Sequence, residues 1–110
     1  MTTHNSSLPY GVVAKLVAKP ETADEVAQFL TDAFSLADAE AGTVVWFAVR
    51  TDPTTFWVFD AFEDEGGRKA HLNGPIAQAL MDNADRLFAE APSILPADVL
   101  AAKVPGRVPA

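Results

Sequence analysis

The sequence predicts an α+β fold with one antiparallel sheet that has its helices on one face. Four segments are rich in β-branched and aromatic residues, which is the composition of strands. Two further segments carry apolar residues at three- and four-residue intervals, which is the spacing of a helix face. Their order is β-α-β-β-α-β, and this order indicates a ferredoxin-like sheet.

The length of 110 residues fits one domain. We predict a domain over residues 10–104, with a flexible arm at residues 1–9 and a tail at residues 105–110. No apolar run approaches the roughly 20 residues needed to cross a bilayer, and the polar start lacks the pattern of a secretory signal. Because cysteine is absent, we expect no disulfide, no thiolate metal site and a cytoplasmic location.

Net charge argues against two classes of partner. Eight lysine and arginine residues stand against fifteen aspartate and glutamate residues, which gives a net charge of −7. This charge repels phosphate groups, and no basic stripe offsets it. We therefore expect neither nucleic acid nor membrane to be a partner.

The first strand is predicted over residues 11–18, which are rich in valine and are followed by Pro20. Thr22 is the predicted N-cap of the first helix, and Glu25 three residues later completes a capping-box pattern. Gly42 is expected to end this helix or to turn the chain. The apolar stripe of the helix consists of Val26, Leu30, Ala33, Phe34 and Ala37.

Residues 43–50 and 55–62 are predicted to form a hairpin, with Pro53 in the turn between them. A second helical region follows and is divided at Gly74-Pro75. Pro92 and Pro96 are expected to close that region, and residues 98–104 to form the last strand. The apolar stripe of the second helical region consists of Leu72, Ile76, Ala79, Leu80, Leu87 and Phe88.

Both faces of the predicted hairpin are apolar, because side chains alternate between the faces and apolar residues occupy nearly every position. Two helices cover only one face. Each large side chain left exposed forgoes roughly 1.5–3 kcal/mol of burial. We therefore predict a homodimer in which two sheets face each other. A different protein partner or a bulky ligand is the alternative.

Asp60 is a carboxylate within an otherwise apolar strand. Burial of an unpaired carboxylate is costly, so this position suits a general base or a substrate anchor. The alternative is a structural carboxylate that pairs with the backbone or with a cation such as Lys15.

His71 lies beside the apolar stripe that Leu72 begins. A histidine at this position can reach a cavity between helix and sheet and act there as a proton shuttle. The alternative is a histidine at a helix end that only packs and forms hydrogen bonds.

Aromatic residues are concentrated in the predicted hairpin, and aromatic walls suit a planar apolar ligand. Trp46, Trp57 and Phe62 are substrate-binding candidates, together with Asn73, which lies two residues after His71. The alternative is that these aromatic side chains belong to the core or to an interface. The sequence contains no glycine-rich nucleotide-binding loop, no serine-hydrolase motif and no zinc-protease motif.

The run of residues 40–75 combines several of these features: Gly42, Asp60, Phe62, Glu63-Asp64 and Ala70-His71-Leu72. It resembles the antibiotic biosynthesis monooxygenase family, and the resemblance extends over about residues 10–105. The resemblance implies a dimeric α+β barrel made by two facing sheets. It also implies oxidation of a small aromatic phenol or quinol by O₂, without flavin, haem or metal.

On this basis we expect a cofactor-independent monooxygenase, with His71 as proton shuttle and Asp60 as its polar partner. A non-catalytic dimeric module that binds a small ligand is one alternative. A cofactorless isomerase or cyclase on the same fold is another.

Two departures from related sequences carry expectations of their own. A haem-degrading branch of the fold uses an asparagine, a tryptophan and a histidine. The positions in this chain that correspond to them hold Ala14, Phe62 and Met81, and none matches, so no haem degradation is expected.

Glycine disfavours helix by roughly 1 kcal/mol relative to alanine. The segment at residues 65–67, which contains two glycines, is therefore predicted to act as a mobile lid.

Overall fold

The computed structural model describes residues 7–106, so residues 1–6 of the predicted arm and residues 107–110 of the predicted tail lie outside it. The strands form one antiparallel sheet in the order β2-β3-β1-β4, which confirms the predicted ferredoxin-like arrangement. A 3₁₀ turn, Pro20–Thr22, precedes the first helix. The elements are β1 (Tyr10–Val17), α1 (Ala23–Ala39), β2 (Val45–Asp52), β3 (Thr55–Phe62), α2 (Glu65–Leu72), α3 (Pro75–Asp82), α4 (Ala84–Leu87) and β4 (Ser93–Asp98).

The main core lies between the sheet and the helices. Alternation along β1 and β3 turns one set of apolar side chains towards the helices, where they are buried against residues of α1, α3 and α4. None of the helices within residues 7–106 is long and apolar enough to cross a membrane. The buried core residues include Ala14, Leu16, Val26, Leu30, Phe56, Val58, Leu80, Leu87 and Phe88.

The last strand differs from the prediction, which was wrong by several residues: β4 is Ser93–Asp98 and not residues 98–104. Pro96, expected to lie outside a strand, is within β4 and pairs with Val12. β4 is an edge strand, and an edge has positions where the missing N–H of proline breaks no ladder hydrogen bond. After β4 the chain packs Val99 against Leu8 and Ala61.

Two details of the first helix also differ from the prediction. The capping box does not form, because the Thr22 hydroxyl donates to the Leu87 carbonyl oxygen at 2.6 Å and makes no cap hydrogen bond in α1. Phe34 was placed in the buried stripe, but its side chain is 59% exposed. The neighbouring Ala33 and Ala37 are buried as predicted.

The sheet face away from the helices is apolar. Leu8 and the segment at residues 99–104 pack on its part around Ala61 and Phe59, and the rest of the face is open. One apolar row crosses all four strands. Its members, each paired with the next, are Phe47 on β2, Phe59 on β3, Val13 on β1 and Leu95 on β4. Phe47 is 61% exposed and Leu95 is 59% exposed. The expectation that the sheet is apolar on both faces is therefore confirmed for the described chain.

Adjacent glycines in the first turn of α2 have different surroundings. A Cβ on Gly67 would lie 2.9 Å from the Gly42 carbonyl oxygen, because the two backbones touch. A Cβ on Gly66 would come no closer than 3.4 Å to its nearest neighbour, the Asp64 carboxylate. Asp64 is the N-cap of α2 and accepts a hydrogen bond from Gly67 N at 2.8 Å. Gly67 therefore has a packing role, while the predicted mobility of this segment stays a prediction.

Alanine at these two positions is expected to have opposite effects. Gly67→Ala forces the loop that contains Gly42 away from α2 and lowers the free energy of unfolding by about 1–3 kcal/mol. Gly66→Ala raises it by about 0.5–1 kcal/mol, since alanine favours helix and the position is exposed. Urea unfolding followed by circular dichroism measures both. Equal effects of the two substitutions would contradict the proposed contact.

Candidate functional site

A buried histidine lies between two carboxylates. Nε2 of His71 is 2.5 Å from Oδ2 of Asp60, and Nδ1 is 2.6 Å from Oε1 of Glu40. Asp60 is 1% exposed and His71 is 7% exposed, so water scarcely reaches this part of the cluster. We call Glu40, His71 and Asp60 the acid–histidine cluster.

Three different elements supply these side chains. Asp60 points towards the helices because β3 alternates, and it lies in register between Val12 of β1 and Trp46 of β2. His71 is in the last turn of α2, where its ring is 5.6 Å from the ring of Phe62. Glu40 is the C-cap of α1, so the end of that helix delivers its carboxylate to the cluster.

Neighbouring groups hold Glu40 and α2 in place. The Thr43 hydroxyl donates to Glu40 Oε1 at 2.7 Å. Gly74 leaves room for the carboxylate, because a Cβ there would be 3.1 Å from Glu40 Oε2. Arg68 ties α2 to the sheet through Nη1, which donates to the carbonyl oxygens of Gly11 at 3.3 Å and Ala97 at 3.4 Å.

The charge state of His71 follows from these contacts. Burial by itself lowers the pKa of an imidazole, but the hydrogen bonding and charge of Asp60, and then of Glu40, outweigh burial and raise the pKa of His71 to about 9. His71 is therefore an imidazolium at neutral pH. With both nitrogens protonated and facing carboxylates, it presents no free lone pair.

The carboxylates keep acceptor capacity. Asp60 Oδ2 lies 2.5 Å from His71 Nε2, and no other group among residues 7–106 donates a hydrogen bond to it. Glu40 Oε2 is also buried, and no group among residues 7–106 donates a hydrogen bond to it. Two carboxylates around one imidazolium can thus accept a further proton or hydrogen bond.

A small apolar cavity adjoins the cluster. It lies between the sheet and the helices, has a volume of about 40 Å³, and His71 forms part of its wall. A water molecule occupies about 30 Å³ in the liquid, so the cavity has room for roughly one. The other lining residues are apolar: Val12, Ala14, Leu30, Trp46, Val58, Leu72, Ile76, Ala77, Leu80 and Ile94.

The structure brings some of the predicted site residues together and separates others. Trp46 lines the cavity, and Phe62 packs against His71 without lining it. Trp57 lies on the opposite sheet face, where its Nε1 donates to Thr51 Oγ1 at 3.2 Å. Asn73 is exposed, and its side chain donates to the Lys69 carbonyl oxygen at 2.9 Å.

Lys15, the cation suggested as a partner for Asp60, is not that partner. Its ammonium lies 5.6 Å from the centre of the Trp57 ring, on the open face of the sheet. The residue that pairs with Asp60 is His71.

Sequence reasoning missed Glu40. The chain has fifteen acidic residues, and Glu40 alternates with alanines at the end of a helix, where an acid is unremarkable. The one available signal was its place directly before Ala41-Gly42, at the start of the run that resembles a known family. Across residues 7–106 there is no group of three or more metal-ligating side chains arranged to hold an ion.

The chain is similar to one known protein family and to several solved structures. Residues 9–83 match the family described as antibiotic biosynthesis monooxygenase. No curated protein matches the chain.

Among solved structures, NE2512, a protein of unknown function from Nitrosomonas europaea, is 48% identical and has a TM-score of 0.88; the match covers 92% of this chain and 98% of that one. Rv0793 from Mycobacterium tuberculosis is 14% identical with a TM-score of 0.77, over 87% and 99% of the two chains. PA3566 from Pseudomonas aeruginosa is 22% identical with a TM-score of 0.72, over 89% and 99%. The last two similarities concern the fold alone.

Proposed function

Because the chain belongs to the antibiotic biosynthesis monooxygenase family, we propose that it is a cofactor-independent monooxygenase that oxidises a small aromatic phenol or quinol with O₂. The observation that supports this most directly is the acid–histidine cluster, whose His71 lines an apolar cavity. It combines buried proton acceptors with a space that excludes bulk water.

The proposed reaction balances without a cofactor. A phenol loses its proton, and the electron-rich anion reduces O₂ at a ring carbon that bears hydrogen. One oxygen atom becomes the new carbonyl of a quinone and the other leaves as water, so the substrate supplies all four electrons. The protein needs only to accept the proton, orient the ring and exclude water.

In this proposal Asp60 is the proton acceptor. It lies beside Val12 and Trp46, which both line the cavity, and its carboxylate takes the phenol proton and later returns it to the oxygen atom that leaves as water. His71 carries a proton on each ring nitrogen and keeps both, so its positive charge stabilises the phenolate.

The cavity must enlarge before a ring can bind. It measures about 40 Å³, whereas a cavity of roughly 150 Å³ holds benzene. The side chains on its helix side, among them Leu72 and Ile76, are proposed to move when the substrate binds. The predicted lid at residues 65–67 belongs to the helix that carries His71, which makes α2 a candidate for that movement.

Oxygen consumption tests the proposal. The wild-type chain is expected to consume O₂ with at least one member of a panel of quinols and polyphenols. Asp60→Asn removes the proton acceptor and is expected to lower kcat about 10²–10⁴-fold. Asp38→Asn, an exposed acid on α1, is the control and leaves the rate unchanged.

Other results would identify the alternatives. Turnover that persists at the same rate under nitrogen would replace the monooxygenase with an isomerase or cyclase. Saturable binding without turnover would favour a non-catalytic module. A rate unaffected by Asp60→Asn would remove the cluster from the chemistry.

We further propose that two copies pair through their open sheet faces. The support is the exposed apolar row, in which Phe47 and Leu95 are each more than half exposed. Burial of such a row in a twofold interface shields it from water in both copies.

Sedimentation at micromolar concentration tests the dimer. The wild type is expected to have twice the 11.7 kDa chain mass, and Phe47→Asp to sediment as a monomer. Phe34→Asp, at a similarly exposed phenylalanine on the helical side, is the control and stays dimeric. A monomeric wild type would contradict the proposal.

A further inference from the structure

A groove that is larger than the cavity lies between α1 and β2. Its volume is about 340 Å³, against about 40 Å³ for the cavity beside His71. Pockets for small molecules typically measure 300–1,000 Å³. Leu30 and Trp46 line both spaces, so their side chains form the partition between them.

Three aromatic side chains line this groove: Phe34, Trp46 and Phe56. Phe34 is 59% exposed, although its position in α1 follows the apolar spacing of that helix. A large exposed apolar side chain beside a concave apolar surface is typical of a ligand site. Aromatic walls favour a flat ligand that stacks against them.

Arg50 brings positive charge to the groove and is the one charged residue among its described lining residues. Its guanidinium carbon lies 5.0 Å from the centre of the Phe56 ring. Nε and Nη2 donate to the Pro53 carbonyl oxygen, and within residues 7–106 Nη1 donates no hydrogen bond. The ion pair with Asp24 is 3.4 Å long and the Asp24 side chain is fully exposed, so this pair is weak and open to displacement.

We propose that this groove binds a flat aromatic anion. The ring lies between Phe34 and the other aromatic walls, and the anionic group pairs with the Arg50 guanidinium. The acid–histidine cluster does not line this groove. Binding here is thus separate from the proposed oxidation and is measurable without turnover.

Two fluorescent probes that differ in charge test this proposal. The anion is 8-anilinonaphthalene-1-sulfonate, and N-phenyl-1-naphthylamine has the same ring system without the sulfonate. The wild type is expected to bind the anion saturably, at one site per chain. Phe34→Ala is expected to weaken the binding of both probes about tenfold. Arg50→Met is expected to weaken the binding of the anion about tenfold or more and to leave the binding of the neutral probe unchanged.

Met81→Ala is the matched control, since Met81 is 56% exposed, close to the 59% of Phe34, but lies on α3 and does not line the groove. Its binding of both probes is expected to equal that of the wild type. Circular dichroism verifies that each variant is folded. Loss of binding in Met81→Ala but not in Phe34→Ala would overturn the groove as the site. Equal weakening of both probes by Arg50→Met would overturn the role of charge.

Discussion

Replacement of His71 by alanine is expected to lower the free energy of unfolding by about 3–5 kcal/mol, the usual effect of breaking a buried ion pair. The reason is Asp60, which is 1% exposed and has His71 as its charged partner. Without the imidazolium, a carboxylate remains buried with no charge to balance it. Urea unfolding at one fixed protein concentration measures the loss, since a dimer would make stability depend on concentration.

A second substitution separates this explanation from simple loss of packing. Asp60→Leu in the His71→Ala background removes the unpaired charge and keeps a similar volume, so it is expected to restore much of the lost stability. Lys69→Ala, at an exposed position of the same helix, is the control and changes stability by less than about 0.5 kcal/mol. A double variant less stable than His71→Ala would show that the ion pair is not the cause.

Stability is also expected to fall as the pH rises from 6.5 to 9. The pKa of His71 is raised from 6.5 to about 9 in the folded chain, so between these values the folded state holds a proton that the unfolded state has released. The stabilisation is fully present below pH 6.5 and is lost as the pH rises through 9. A shift of this size corresponds to about 3 kcal/mol.

The groups that face the imidazole and produce this shift are Asp60 from β3 and Glu40 from the end of α1. Urea unfolding at several pH values measures the slope, and His71→Gln is expected to flatten it. His4, the other histidine, lies outside the described residues. The slope is therefore compared with and without His71→Gln in a chain that also carries His4→Ala, so that His4 does not contribute to it. A slope that survives in His71→Gln would assign the pH dependence to another group.

The stability of the cluster has a consequence for activity measurements. Because His71→Ala is expected to destabilise the fold strongly, its loss of activity would not distinguish a role of the imidazolium charge in the reaction from a structural role. Glu40→Gln is better suited to this question, because it keeps the shape of the side chain and removes one of the two carboxylates that raise the pKa of His71. If the imidazolium charge stabilises the phenolate, this variant loses activity at a lower pH than the wild type.

Local patterns in the sequence were sufficient for most of the fold. β3 was predicted over residues 55–62 and is Thr55–Phe62, since period-two alternation with aromatic residues leaves little ambiguity. The stripe of α1 was right at Val26, Leu30, Ala33 and Ala37. β4 was misplaced because Pro96 opposes a strand by local propensity, and only its position at the sheet edge makes the proline acceptable.

The sequence by itself determined the α+β class, the order of the elements, the apolar character of both sheet faces, and two residues, Asp60 and His71, of unusual chemistry. Their partnership, and the addition of Glu40 to it, depend on how α1, α2 and β3 meet in space. Side-chain periodicity is a local property that neighbouring residues specify. Contacts between residues 31 positions apart, as in Glu40 and His71, arise only when the packing of the whole chain brings the two together.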